Sequence, residues 1–292
     1  MRIFVTGASG YIGAAVVREL LAHGHHVAGL ARSDESAARV RALGAQVVHG
    51  GLDSVDVLEL NAREHDATVH AAFFRGPEFI EVERRALDAL LHVAPRGHVF
   101  AYTSGSWVYG DRGDAIVDEE APPAPIALVA WRPGHEARVL ASASAGVRAI
   151  VIRPSVVYGE NRGMVGMMVE QARTGPVRIV GEGTNRWPLV RVDALAELYR
   201  LALENPAGRG IYNAASGAAV PYVTIARAAA RAGGGDGGIE HLTPEFARAQ
   251  MGPYAEALAL DLQISSAKAQ RELGWNPHRP TVLEELANTV VP

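Results

Sequence analysis

Three glycines in the segment Thr6-Gly7-Ala8-Ser9-Gly10-Tyr11-Ile12-Gly13 follow a short β-branched run at 2–5 and lead into residues 11–23, whose apolar side chains recur at helical spacing. Few folds accept a strand, this glycine spacing and then a helix. Gly7 permits a tight turn, Gly10 lets the backbone approach a bound group, and Gly13 lets the helix pack close to the strand. The helix start offers free N–H groups and a partial positive charge, which suits a pyrophosphate. Glycines that merely serve a turn are the plainer reading. Their place at the first strand-to-helix turn of a βαβ unit favours a dinucleotide, with Gly7, Ser9, Gly10, Tyr11, Ile12 and Gly13 around it.

The pattern repeats along the first half. Strands are expected at 26–31, 46–49, 68–72, 99–103 and 149–153, with helices near 35–43, 78–94 and 135–145. Alternation of this kind predicts an α/β fold, a Rossmann-type doubly wound parallel sheet. Beyond about Tyr158 the pattern loosens into helices near 164–174, 193–204, 222–232, 243–250 and 265–273. The chain of 292 residues is therefore expected to divide into a dinucleotide-binding domain at 1–160 and a smaller substrate lobe at 161–292, some of whose segments return to the first domain. The run GGGDGG at 233–238 reads as a flexible surface loop.

Composition removes several functional classes. Apolar residues at 48% and charged residues at 21% permit a large core, and the formal net charge of -4 gives no reason to expect a nucleic-acid surface. With no cysteine, disulfides, thiolate metal sites and cysteine nucleophiles are excluded together. No leader-like start and no membrane-length apolar run is read, so a cytoplasmic protein without a membrane partner is expected. The histidines lack metal-ligand spacing, and no metal is expected.

The end of the second strand selects the cofactor. An acid there holds a ribose 2′-hydroxyl, whereas an arginine suits a 2′-phosphate. The acid position reads as Ala31, followed by Arg32 and Ser33, which favours NADP(H) over NAD. Asp34 nearby weighs the other way, and a merely solvated Arg32 is the plainer alternative.

Further motifs run along nearly the whole chain: His70-Ala71-Ala72; Thr103-Ser104-Gly105-Ser106-Trp107-Val108-Tyr109-Gly110; Arg153-Pro154-Ser155-Val156-Val157-Tyr158-Gly159; Gly181-Glu182-Gly183 with Val190-Arg191-Val192-Asp193; and Glu272-Leu273-Gly274-Trp275-Asn276-Pro277. In this order they resemble the extended short-chain dehydrogenase/reductases, the NAD-dependent epimerase/dehydratase group. The resemblance implies cofactor contacts from Leu52, Ala71, Ala72, Phe73, Thr103, Ser104, Arg132 and Pro154. It also implies a monomer or a homodimer built on the helices near 78–94 and 135–145.

The chain departs from that family where its chemistry resides. The family uses a Ser/Thr and a Tyr-x-x-x-Lys pair, in which lysine lowers the tyrosine pKa and tyrosine moves the carbonyl proton. Aligned on Glu136, the lysine position is Arg132 and the tyrosine position Leu128; aligned on Val108-Tyr109-Gly110, the serine position is Gly105. Arg132 can hydrogen-bond a ribose but cannot release a proton near neutrality. Pro133 is expected at the first position of a helix, after an irregular segment carrying Pro122, Pro123 and Pro125. These losses resemble the atypical subset of the family.

Replacement chemistry is sought among Ser106, Tyr109, Tyr158 and His135, with Arg132 as a cofactor or substrate ligand. The plainer readings are a partly exposed helical histidine for His135 and packing roles for both tyrosines. Ser104 and Ser106 divide evenly between substrate contact and strand-end capping. Phe73, Phe74, Trp107, Met164, Met167, Met168 and Trp187 lie on segments expected to meet at the substrate pocket, with Arg186 beside them. Their convergence would favour an aryl or polycyclic substrate over a nucleotide sugar, and core packing is the alternative. Arg75, Arg162, Arg186 and Arg191 weigh towards an anionic substrate.

The leading expectation is an NADPH-dependent reductase of a hydrophobic or aromatic small-molecule carbonyl, imine or activated alkene. An epimerase, dehydratase or isomerase with transient cofactor redox is the first alternative. A non-enzymatic NADP(H) sensor is the second.

Overall fold

The computed structural model describes residues 1–74, 76–234, 238–277 and 279–289. Seven strands form its central sheet: β1 (Arg2–Thr6), β2 (His26–Ala31), β3 (Gln46–His49), β4 (Ala67–His70), β5 (Val99–Thr103), β6 (Arg148–Pro154) and β7 (Gly210–Ala214). The spatial order is β7-β6-β5-β4-β1-β2-β3, and every pairing is parallel. This is the doubly wound Rossmann-type arrangement.

Successive strand residues enter opposite layers, which is why the strands read as unbroken apolar runs. Ile3 and Val5 of β1, Val99 and Ala101 of β5, and Ile150 and Ile152 of β6 join one core layer. Phe4, Phe100, Tyr102 and Val151 join the other. The first layer is covered by α1 (Tyr11–Ala22), α2 (Asp34–Ala42) and, from the second half of the chain, the helix Val192–Glu204. The second is covered by α3 (Val55–Glu64), α4 (Phe79–His92) and α5 (Arg132–Ala141).

A separate core forms around α6 (Gly163–Ala172), α8 (Tyr222–Ala232) and the paired strands Val177–Val180 and Ile239–Leu242, while α7 (Val192–Glu204) is the helix that covers the first layer. Three segments of the second half return to the central sheet: α7 over the first layer, β7 as its edge strand, and Ala269, Leu273 and Trp275 as part of the first layer. None of the described helices is long and apolar enough to cross a membrane.

Several boundaries differ from the sequence reading for identifiable reasons. The expected strand at 68–72 ends at His70, because the Ala71 N–H donates to the Thr6 carbonyl and the Ala72 N–H to the Thr6 hydroxyl at 3.4 Å. Pro133 occupies the second rather than the first position of α5, and residues 142–145 continue as a 3₁₀ turn instead of α-helix. Residues 118–126 are irregular, as the prolines require. The elements α3, β7, Tyr254–Ala259 and Val282–Ala287 have no counterpart in the sequence reading. Of the GGGDGG run, residues 235–237 lie outside the described residues.

Candidate active site

The order of the sheet reverses at β1, so the crevice beyond the carboxyl ends of β1, β2, β4, β5 and β6 is the natural ligand position of this architecture. The glycine turn stands in it. Gly7 has φ +72°, and a Cβ there would lie 2.5 Å from the Ala71 carbonyl oxygen; a Cβ on Gly13 would lie 2.1 Å from that of Gly7. Strand, turn and helix thus touch backbone to backbone. Gly10 caps α1 without any side-chain hydrogen bond, which leaves the first-turn N–H groups beside Ser9 and Tyr11 facing outward. This cradle fits the pyrophosphate of a nicotinamide dinucleotide.

Tyr11 is turned elsewhere. Its hydroxyl donates to the Gly159 carbonyl at 2.7 Å and its ring lies under the Arg162 guanidinium at 5.0 Å. Burial raises the phenol pKa and keeps it protonated. At the end of β2, Arg32 is exposed and makes no hydrogen bond or ion pair among the described residues. Ser33 instead caps α2, its hydroxyl accepting from the Ser36 N–H. Leu52 is buried in the same core cluster as Leu30 and Leu58.

A cavity of about 460 Å3 opens next to the glycine turn, lined by Ile12, Phe73, Phe79, Trp107, Trp131 and Met164 among its apolar residues. Ser104, Gly105, Ser106, Arg132 and the β6 end at Pro154 and Ser155 complete it. The positions aligned with the family's serine, tyrosine and lysine (Gly105, Leu128 and Arg132) all lie in this lining. Arg132 is steered by a 3.0 Å hydrogen bond from Nη1 to the Thr103 carbonyl. The Ser106 hydroxyl makes no hydrogen bond among the described residues, although the residue is buried.

Behind the cavity wall runs a buried polar chain. The Ser104 hydroxyl donates to Glu136 at 2.5 Å. Glu136 is held by two hydrogen bonds from Arg153, 2.9 Å from Nε and 2.5 Å from Nη2. Arg153 also donates to the Tyr109 oxygen at 2.7 Å, and Tyr109 donates to the side-chain amide Oδ1 of Asn213 at 2.8 Å. This corrects the catalytic expectation for Tyr109: it is fully buried, its phenol pKa is pushed up by burial, and it does not line the cavity.

His135 is not brought to the cavity either. It packs edge-on against Trp131 at 4.9 Å, and burial lowers its pKa against the opposing pull of Glu83. Tyr158 donates to the Pro280 carbonyl outside the cavity. Thr103 offers only its main chain, because its hydroxyl pairs with Tyr199 at 2.6 Å.

Of the substrate candidates, Phe73, Trp107 and Met164 line the cavity, whereas Phe74, Met167, Met168, Trp187 and Arg186 do not. Phe74 packs against the core layer behind the sheet. Trp187 is buried, stacks on Tyr222 at 4.0 Å and donates to the Leu258 carbonyl. Arg186 is engaged by Asp261 at 2.6 Å and by Asp114 at 2.9 Å, and Arg191 by Glu285 at 2.7 Å. Arg75 lies outside the described residues. Sequence reasoning missed Phe79, Trp131 and Ser155. The position of Trp131, immediately before Arg132, was the available signal for one of them.

The model of the NAD dependent epimerase/dehydratase family matches residues 3–215. An uncharacterized protein of Schizosaccharomyces pombe is 34% identical, over 99% of both chains. A Stigmatella aurantiaca protein named 4-hydroxy-2-methyl-3-oxo-4-farnesyl-3,4-dihydroquinoline-1-oxide ketoreductase is 27% identical, over 94% of this chain and 92% of its own. Among solved structures, the UDP-glucose 4-epimerase of Thermus thermophilus in complex with NAD superposes with a TM-score of 0.80 at 22% identity, covering 99% of this chain and 97% of the other.

Proposed function

This chain belongs to the NAD-dependent epimerase/dehydratase family, and from that premise we propose an NADPH-dependent reductase of a hydrophobic or aromatic carbonyl, imine or activated alkene. Membership makes it an NAD(P)-dependent enzyme of oxidoreductase or epimerase type. The observation that carries the finer reading is the chemistry of the cavity wall. Four aromatic rings line it and Arg132 is the one cation among its described lining residues, while Arg186 and Arg191 are neutralised by carboxylates of this chain. A nucleotide sugar brings a diphosphate that needs free cations; an apolar ketone does not. The Stigmatella relative is named for a ketoreductase reaction on a farnesyl-bearing 3-oxo compound, which supports the same direction.

In this reading the glycine turn and the α1 N-terminus hold the pyrophosphate, Arg32 meets the 2′-phosphate, and Arg132 reaches the ribose hydroxyls. Bound NADPH supplies the hydride. Ser106 donates a hydrogen bond to the substrate oxygen, and Arg132 stabilises the negative charge that builds there while remaining protonated itself. With leucine at position 128, the proton that completes the alcohol comes from solvent water by way of the Ser106 hydroxyl.

NADPH consumption is the test, measured across aryl and alkyl ketones, imines and activated alkenes. Turnover with a member of this panel is expected, falling about a hundredfold in Ser106→Ala, the scale for losing one oxyanion donor. Consumption at background throughout would overturn the proposal. Product formed without net NADPH loss would move the assignment to an epimerase or isomerase. Leucine at the proton-donor position also favours a second reading, an NADP(H) sensor, which predicts tight binding without turnover.

A further inference from the structure

The second core carries a groove of about 580 Å3 that shares Met164 with the cavity above. Four of the five methionines of the chain line it, Met164, Met167, Met168 and Met251; the fifth is Met1. Met167 is 67% exposed and Phe246, on the helix Pro244–Met251, is 53% exposed, so the groove presents apolar surface that folding leaves uncovered. Flexible thioether side chains adapt to occupants of irregular outline, which suits a site that must admit varied apolar shapes.

Charge at the groove is cancelled internally. Arg178 is its one arginine among the described lining residues, and its guanidinium binds Glu240 at 2.8 Å. A phosphate, sulfate or carboxylate would have to displace that pair. The partition between the two spaces is aromatic: Trp107 of the cavity meets Tyr254 of the groove edge-on at 6.1 Å.

The geometry points to a single bipartite substrate site, in which the groove receives an uncharged linear apolar chain, alkyl or prenyl, attached to the reducible group held at Ser106 and Arg132. This inference rests on the proposed reductase reading for the head group, but the groove's affinity for a chain is measurable without turnover. Continuity through Met164, the cancelled charge and the concentration of methionines all act on the tail and none on the head.

Displacement of the fluorescent apolar dye Nile red by 2-alkanones, from 2-hexanone to 2-tridecanone, tests it in the NADP+-loaded protein, which cannot reduce them, while reduction is followed separately with NADPH. Affinity is expected to rise with length, by up to about fourfold per added methylene where each becomes fully buried. Met167→Glu and, independently, Phe246→Glu place a carboxylate on the groove wall and should flatten that rise for the longer members. Ile116→Glu serves as the control, at another exposed apolar residue that is 69% exposed and outside both spaces, and should preserve the slope. The inference is overturned by affinity independent of length, by absence of displacement, or by slopes in both groove variants equal to that of Ile116→Glu. Length-dependent binding without reduction would keep the groove and remove the reductase reading. Reduction at rates and affinities indifferent to length would do the reverse.

Discussion

Replacing Arg32 by alanine tests the proposed contact with the cofactor 2′-phosphate separately from folding. Arg32 is exposed and has no hydrogen bond or ion pair among the described residues, so its removal should change the stability of the unliganded protein by no more than about 0.5 kcal/mol. Its contribution to NADPH binding is bounded on two sides. A unit charge pair 4 Å apart in water is worth about 1 kcal/mol, and a hydrogen bond to a charged group about 1.5–3 kcal/mol. Arg32→Ala should therefore weaken NADPH about 5- to 150-fold while leaving NADH within about twofold, measured by calorimetric titration. Thermal unfolding gives an independent reading. At NADPH one hundred times the wild-type Kd, ligand stabilises the native state by about 2.7 kcal/mol, and a tenfold loss of affinity removes about 1.4 kcal/mol of it. For a chain of this size that lowers the liganded Tm by roughly 2 °C. Added salt should shrink the NADPH preference of the wild type, because the contact is at the surface. Equal losses for NADPH and NADH, or no loss for either, would refute the assignment of Arg32 to the 2′-phosphate.

Gly13→Ala places a methyl group 2.1 Å from the Gly7 carbonyl oxygen, so α1 must move by about 1 Å from the turn. Turnover is expected to fall about a hundredfold, the scale for an ångström of misplacement, although the substitution itself favours helix; steady-state kinetics checks this. Arg153→Met leaves Glu136 buried without its bidentate partner and should cost about 3–5 kcal/mol in urea unfolding, most of it restored in Arg153→Met/Glu136→Leu. His98 is buried, with one ring nitrogen 3.1 Å from the His65 carbonyl and the other 3.0 Å from the Thr68 hydroxyl, and burial lowers its pKa from 6.5 to about 4. The unfolded chain therefore binds the proton first. Stability should be intact above pH 6.5 and decline by about 3 kcal/mol as pH falls to 4, a component that His98→Gln removes from a pH series of denaturation curves.

What was legible in the sequence was short-range. The glycine turn, the helix it opens and the parallel sheet follow from spacings of a few residues, and the aligned positions Gly105, Leu128 and Arg132 do meet at one cavity. What escaped was pairing across long separations. Arg186 reads as a free cation because Asp114 and Asp261 stand 72 and 75 residues away. Tyr109 reads as a possible acid because its partners Arg153 and Asn213 are 44 and 104 residues distant. Trp187 reads as a pocket aromatic until Tyr222 is found stacked beneath it. Even the early end of β4 depends on Thr6, in a strand more than sixty residues earlier. Local periodicity carries no information about which distant side chain will satisfy a buried polar group, yet each such group must be satisfied somewhere.

The buried chain from Ser104 through Glu136 and Arg153 to Tyr109 explains how the cavity keeps its shape without the family's acid. These residues tie the end of β5, α5 and the end of β6 to one another, and none of these side-chain bonds involves position 128 or 132. Arg132 has its own anchor at the Thr103 carbonyl, so its placement does not depend on a neighbouring tyrosine. In the proposed reductase, hydride geometry and proton supply are thus separable: the network fixes the walls between which a nicotinamide and a substrate carbon would meet, while the proton donor is a free choice among the groups facing that space. A leucine in the donor's place removes the acid without removing a wall, and adds apolar surface to a lining that already holds four aromatic rings. Under the proposed function, losing the acid and favouring an apolar substrate are then two consequences of the same side chain.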